Sequence, residues 1–261
     1  MEWIEALILG IIQGLTEFLP VSSSGHLEIG KHLLNVEATD SLTFTVVVHG
    51  ATVLSTIVVF RKDLANIILG ALKFKWNEET KYLFFIAISM IPVAVIGLFF
   101  KDKVEQFFGG DNLAFVGSML LITALLLTFA HFVKGKKRKI NAGNAFLIGF
   151  AQALAVLPGI SRSGATISTG LLLGVDKARI ARFSFLMVLI PILGENFLDL
   201  ISGDMTANES IGATPLIVGF IAAFIAGWAA CTWMINIVKR GKLIWFAVYC
   251  LIVGTIAIVA G

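Results

Sequence analysis

Two stretches decide how this chain is read: Leu19-Pro20-Val21-Ser22-Ser23-Ser24-Gly25 and Leu157-Pro158-Gly159-Ile160-Ser161-Arg162-Ser163-Gly164. Each breaks an otherwise apolar segment, roughly Glu2–Glu37 and Asn144–Val175, with proline, glycine and a serine cluster. Crossing a hydrocarbon core of about 30 Å takes roughly 20 residues of helix, and the arms on either side of each break are shorter than that. Each segment therefore reads as a re-entrant helical hairpin, entering and leaving the membrane on one side. Irregular backbone at membrane depth survives only if it is buried in protein or lines a wet cavity.

The rest of the chain supplies the membrane. Of its 261 residues 57% are hydrophobic and only 14% charged, with a mean hydropathy of +0.92. A soluble domain carries roughly 25% charged residues. The apolar runs recur along the whole length, which excludes a soluble domain on a single anchor. No basic segment or small-residue cleavage site precedes the first apolar run, so no cleaved signal peptide is expected. Cys231 and Cys250 lie inside apolar runs without metal spacing and read as buried thiols.

Six stretches are long enough to span: Leu42–Phe60, Tyr82–Phe100, Leu113–Val133, Phe183–Ile201, Leu216–Val238 and Leu243–Gly261. Lys and Arg are distributed unevenly between them. Arg61, Lys62, Lys73, Lys75 and Lys81 follow the first span, Lys134 and Lys136–Lys139 the third, and Lys239, Arg240 and Lys242 the fifth. Ser202–Pro215 has none, and Lys101–Asn112 has two, offset by Asp102, Glu105 and Asp111. The positive-inside rule places the three basic loops in the cytoplasm and the C-terminus outside. The first hairpin then opens outward and the second inward.

A repeat agrees with this. Ala6, Gly10, Gln13, Leu15, Ser22, Ser24 and Gly25 match Ala145, Gly149, Gln152, Leu154, Ser161, Ser163 and Gly164 at a spacing of 139, although the two Leu-Pro pairs are one residue out of step. The expected fold is an all-α polytopic membrane protein with an inverted-topology repeat, each half a re-entrant helical hairpin plus three transmembrane helices. It forms one integral membrane domain, 1–261, with repeat 1 about 1–133 and repeat 2 about 144–261. The plainer alternative is eight or more ordinary spans with serine-rich kinks.

Two hairpin tips from opposite faces meet near the midplane. After each tip a helix restarts, with Ser22–Ser24 or Ser161–Ser163 at its N-cap. The free amides and positive dipole end of a helix start favour an anion. Arg162 at one tip adds a planar fork suited to phosphate oxygens, and a charge at that depth is functional by default. Gln13 and Glu17 share a helical face at i, i+4. His26 follows Ser22 by four residues and Ser23 by three. Glu17, Ser23 and His26 are thus expected to converge as carboxylate, hydroxyl and imidazole, a set suited to phosphoanhydride hydrolysis.

The run GLTEFLPVSSSGH with the later PGISRSGAT resembles the bacterial undecaprenyl-pyrophosphate phosphatases, the bacitracin-resistance family, and the similarity extends over essentially the whole chain. The family's [Glu/Gln]-x-x-x-Glu pair is matched by Gln13 and Glu17, its Ser-Ser-x-Gly-His by Ser22, Ser23, Gly25 and His26, and its Pro-Gly-x-Ser-Arg-Ser-Gly-Ala-Thr by Pro158–Thr166. The resemblance implies hydrolysis of undecaprenyl diphosphate to the monophosphate, which recycles the cell-wall lipid carrier in the bacterial cell membrane, and a site towards the outer face. It implies a divalent cation, Mg²⁺ or Ca²⁺, held at Glu17. Where other members have Glu this chain has Gln13, which puts a two-carboxylate metal site in doubt. On this reading Glu17, Ser23, His26 and Arg162 are catalytic. Gln13, Ser22, Ser24, Gly25, Ser161, Ser163, Gly164 and Thr166 bind substrate. The favoured mechanism has Ser23 attack with His26 as its base; attack by His26, or by water activated by Glu17, stays open. The expected partners are the diphosphate lipid, the bilayer and, as one option, a second copy in a homodimer, with no nucleic acid.

A transporter or flippase of a phosphorylated polyprenyl lipid is the alternative, since broken helices in inverted repeats serve transport too. It needs no nucleophile, so the Glu17, Ser23 and His26 set favours an enzyme. A type 2 phosphatidic acid phosphatase would need His and Asp where this chain has Ser168 and Leu172. His49, Glu195 and Asp199 are further polar residues within spans, with no assigned role, and Trp3, Trp76, Trp233 and Trp245 read as interfacial or packing residues.

Overall fold

The computed structural model describes residues 1–34, 36, 38–100, 113–133, 137–194 and 211–260, with backbone alone at 38–42. Every regular element among them is a helix, and the one extended pairing is an isolated parallel bridge between Arg138 and Val175. In chain order the helices are α1 (Trp3–Phe18), α2 (Ser23–Leu34), α3 (Ala38–Val59), α4 (Arg61–Ala71), α5 (Glu78–Phe99) and α6 (Leu113–Phe132). They continue as α7 (Ala142–Leu154), α8 (Arg162–Leu172), α9 (Lys177–Met187), α10 (Ala213–Arg240) and α11 (Ile244–Ala260).

Local chemistry sets the ends. The backbone N–H of Glu2 donates to the Glu5 carboxylate at 2.8 Å and opens α1. Pro20 stops it, because the residue before a proline is pushed out of the α region, and Leu19 sits at φ −71°, ψ 143°. Asn77, Asn141, Ser161 and Asp176 cap α5, α7, α8 and α9 through their side chains. Gly241, at φ 70°, closes α10 in the left-handed conformation.

Helices α5, α6 and α10 are each long and apolar enough to cross a membrane, and α3 and α4 together form a fourth such run bent by 76°. Large apolar side chains cover their outsides: Leu98 is 78% exposed, Phe99 75% and Ile221 50%. Water would not tolerate so extensive an apolar surface, but lipid does. The chain is a multi-pass membrane protein.

The six apolar stretches read from the sequence correspond to α3, α5, α6, α9 with the helical residues 189–194, α10 and α11. The structure adds α4, which lies within the basic stretch read as a loop. Its Ile67 and Gly70 are buried against the start of α5. Arg182 of α9 pairs with Asp63 of α4 at 2.9 Å and lies 5.2 Å over the Tyr82 ring of α5, tying three elements at that end. Glu195, Asp199, Gly261, Lys101–Asn112, Lys134, Lys136 and most of Ser202–Pro215 lie outside the described residues.

Packing among the helices follows small residues. Helix α1 lies along α10, α7 along α5, and α6 along α11, while α3 also packs on α10. Gly10 sits so close to α10 that a methyl group in its place would stand 2.5 Å from the Gly219 carbonyl oxygen. At Gly149 of α7 it would collide with the Ser89 carbonyl of α5. Lipid gives helices no hydrophobic reason to associate, so this close backbone approach is what holds them.

Candidate active site

The two broken segments are α1–α2 and α7–α8, and their breaks touch. Ser163 Oγ donates to the Leu19 carbonyl at 3.2 Å. A methyl group on Gly25 would lie 3.2 Å from Gly159 Cα, and one on Gly164 would lie 3.4 Å from Pro20 Cβ. A helix from the other half of the sequence braces each break. Cys250 of α11 meets the Pro20 carbonyl at 3.6 Å, and Thr123 of α6 donates to the Gly159 carbonyl at 3.3 Å while accepting from the Ser161 amide at 3.0 Å.

The two helix starts are built alike. Ser22 Oγ accepts from the Gly25 amide at 3.2 Å and Ser161 Oγ accepts from the Gly164 amide at 3.0 Å. The next hydroxyl follows in each case, with Ser22 to Ser24 at 3.4 Å and Ser161 to Ser163 at 3.3 Å. The first two amides of each helix, on Ser23 and Ser24 and on Arg162 and Ser163, have no partner within a helix. Ser22 itself stands at φ 70°, a conformation that costs a side chain with Cβ about 1–2 kcal/mol. Strain of this kind, held by surrounding contacts, marks functional sites.

Glu17 is the centre. Its side chain is 6% exposed and accepts three hydrogen bonds from three directions. Ser23 Oγ donates to Oε2 at 2.7 Å and Gln13 Nε2 donates to the same oxygen at 2.8 Å. Arg162 Nη2, from the other break, donates to Oε1 at 3.2 Å. His49 Nε2 of α3 stands 3.9 Å from Oε2. A carboxylate buried in a helical membrane protein is tolerable because a guanidinium and two neutral donors surround it. Beside it opens a cleft of about 350 Å³, with Glu17, Thr52, Arg162, Ser163 and Ser184 as polar walls and Phe18, Phe185, Val188 and Ile192 among the apolar ones.

The structure thus brings Gln13, Glu17, Ser23 and Arg162 together and sets Ser163 on the same cleft. His26 faces elsewhere. Its Nδ1–H donates to the Ser22 carbonyl at 2.8 Å, and its Nε2 lies 2.8 Å from the Tyr249 hydroxyl of α11, whose ring it stacks on at 5.5 Å and 14°. Thr166, 1% exposed, donates to the Arg162 carbonyl at 2.9 Å and contacts Ser184 Oγ at 2.6 Å, so it sits behind the cleft and holds its wall. Ser22, Ser161, Gly25 and Gly164 build the helix starts. Tyr249, Thr52, Thr56 and Ser184 escaped the sequence reading. Tyr249 alone left a signal, as one of two tyrosines in the chain and set in an apolar span.

Among the described residues the chain is a helical membrane protein in which two hydroxyl-capped helix starts flank a buried carboxylate–guanidinium pair. The chain belongs to the family of the bacitracin resistance protein BacA, whose model matches residues 6–256. It is 59% identical over 263 residues to an undecaprenyl-diphosphatase of Bacteroides fragilis, covering 99% of this chain and 98% of that protein. It is 58% identical over 262 residues to an undecaprenyl-diphosphatase of Parabacteroides distasonis, with the same coverage. A more distant one, from Oceanobacillus iheyensis, is 35% identical over 260 residues, 97% of this chain and 94% of the relative.

Proposed function

We propose that this protein hydrolyses undecaprenyl diphosphate to undecaprenyl phosphate and inorganic phosphate, recycling the lipid carrier of cell-wall synthesis and so conferring bacitracin resistance. The observation that carries the reading is Glu17 held between Ser23 at 2.7 Å and Arg162 at 3.2 Å. A base, a nucleophilic hydroxyl and a phosphate clamp meet at one buried point. The cleft combines polar groups of Glu17, Arg162 and Ser163 with the apolar side chains of Phe18, Phe185, Val188 and Ile192, which suits a charged diphosphate head on an apolar chain whose remainder lies in the bilayer.

In the mechanism Arg162 leaves the Glu17 carboxylate for the terminal phosphate, joined by the Ser23, Ser24 and Ser163 amides at the helix starts. Ser23 Oγ attacks the terminal phosphorus and passes its proton to Glu17 Oε2, its hydrogen-bond partner in the resting site. The bond from that phosphorus to the bridging oxygen breaks, and undecaprenyl phosphate leaves with the electron pair. Water then opens the phosphoserine: the phosphorus–Oγ bond breaks, Glu17 returns its proton to Ser23 Oγ, and the proton given up by the water leaves with the phosphate. His26, held between the Ser22 carbonyl and the Tyr249 hydroxyl, positions the start of α2 that carries Ser23. The expected pairing of Ser23 with His26 becomes a pairing of Ser23 with Glu17, because Glu17 is the group its hydroxyl faces.

The residues suit a divalent cation as well. Glu17 offers carboxylate oxygens, and Gln13 Oε1 is buried with no partner beside it. Among the described residues no three His, Cys, Asp or Glu form a cluster, so water and the diphosphate's own oxygens would complete the shell. The ion would neutralise charge on the diphosphate. The same experiment tests activity and ion together: phosphate release from the C55 diphosphate in detergent. Release that a chelator abolishes and added cation restores is expected. No release under either condition returns the chain to the transporter reading.

The two segments are read further as re-entrant hairpins in an inverted repeat, with the site opening to the outer face. Exchange of partners supports this. The first segment's α1 packs on α10 and the second's α7 on α5, the corresponding span of the opposite half. Gly10 and Gly149 make those contacts, and Pro20 and Gly159 are braced from α11 and α6 in turn.

A further inference from the structure

We infer that His49 is a metal ligand: its Nε2 and a Glu17 oxygen hold one divalent cation between them, in a mixed nitrogen–oxygen site. The inference rests on the proposed cation at Glu17 and adds a second protein ligand to it. His49 lies on α3, apart from both broken segments, and its side chain is 19% exposed. Its Nδ1 is 3.0 Å from the Thr45 carbonyl, which can only accept, so Nδ1 carries the ring proton. In the neutral imidazole the lone pair is therefore on Nε2, and Nε2 faces Glu17 Oε2 at 3.9 Å.

A bare lone pair opposite a carboxylate oxygen is repulsive. The separation is also too long for an N–H···O bond, which spans about 2.7–3.2 Å. It suits two ligands of one ion. With metal–nitrogen and metal–oxygen bonds of about 2.0–2.2 Å, ligand atoms on a shared ion stand roughly 3 to 4.3 Å apart as the angle opens from a right angle to a line.

A second observation points to the same place. Gln13 is fully buried, its Nε2 donates to the same Glu17 oxygen at 2.8 Å, and its Oε1 has no partner. This unpartnered amide oxygen, on a side chain bonded to the same carboxylate, is available as a further oxygen donor. A buried acceptor with nothing to accept from costs about 1–3 kcal/mol unless something occupies it.

The test is pulsed electron paramagnetic resonance of Mn²⁺ on the purified full chain in detergent. Methylenediphosphonate, a diphosphate whose bridging oxygen is replaced by carbon, is added so that the phosphate ligands are present without turnover. Wild type should show ¹⁴N coupling from a directly bound imidazole. His49→Gln can still donate to the Thr45 carbonyl; it should lose that coupling and bind Mn²⁺ at least about tenfold more weakly. Thermal unfolding serves as the folding control. Mn²⁺ bound without ¹⁴N coupling in wild type, or coupling unchanged in His49→Gln, overturns the assignment and leaves the cation at Glu17 intact. No Mn²⁺ binding at all, with turnover indifferent to chelator, removes the cation itself.

Discussion

Arg162 and Glu17 are 145 residues apart in the chain and 3.2 Å apart in the fold, and what each does depends on the other. The guanidinium compensates the buried carboxylate, and in the proposed mechanism it transfers to the doubly charged phosphate. Arg162→Lys keeps a positive charge but loses the fork, so turnover should fall about 30- to 150-fold, the equivalent of one charge-assisted hydrogen bond of roughly 2–3 kcal/mol. Near-normal phosphate release from Arg162→Lys would reduce the residue to a generic charge. Tyr249 poses a finer question. Tyr249→Phe keeps the ring stacked on His26 and deletes only the hydroxyl, so a loss of about fivefold in kcat with KM unchanged is expected, the value of one neutral hydrogen bond of about 1 kcal/mol. An unchanged kcat would mean that the hydroxyl does not steer the imidazole. At this scale the sequence was informative where spacing is local. Serines at caps, and Gln13 and Glu17 on one helical face, follow from helix periodicity. The partner of His26 lies 223 residues away, on an apolar helix with no motif, and no periodicity reports such a contact. His49 was visible as a polar residue in a span, but its approach to Glu17 depends on how α3 packs.

At the level of elements, the site is held by close backbone contacts on helices that are not themselves catalytic. Gly149 lets α7 lie against α5 and thereby fixes where the second break falls. Gly149→Val should force the helices apart at the Ser89 carbonyl and destabilise the protein by about 1–3 kcal/mol, the usual cost of overpacking. A lowered thermal unfolding midpoint in detergent, with activity falling alongside it, is the expected result. An unchanged midpoint would show that the contact carries no load. The breaks themselves were legible, since proline, glycine and a cap serine cannot continue a helix of that length. Helix α4 was not, because its Lys and Arg content matches a cytoplasmic loop. What makes it a helix is the burial of Ile67 and Gly70 on α5 and the Asp63–Arg182 pair at 2.9 Å, all tertiary.

Over the whole molecule, the proposed topology puts the Lys134–Lys139 segment in the cytoplasm, as the positive-inside rule predicts, and opens the site to the cell exterior. Both native cysteines are buried, so a single Lys137→Cys variant gives a clean label. It should resist a membrane-impermeant thiol reagent in intact cells and react once the cells are opened; reaction in intact cells would reverse the assigned orientation and with it the outward opening. The apolar composition and basic loops made the membrane architecture readable, because lipid constrains every exposed side chain in the same way. The meeting of the two breaks was readable only through the charge pattern and the repeat together, which relate segments that nothing local connects. The claim on which the rest depends is that Ser23 attacks phosphorus. Its direct test is phosphate release from undecaprenyl diphosphate by Ser23→Ala beside wild type, with substrate binding and thermal unfolding measured on both. Loss of the nucleophile should lower kcat by about 10³-fold or more, while binding through Arg162 persists and the fold stays intact. A Ser23→Ala protein that keeps more than about a tenth of wild-type turnover would contradict the mechanism and leave Ser23 as a structural residue at the start of α2.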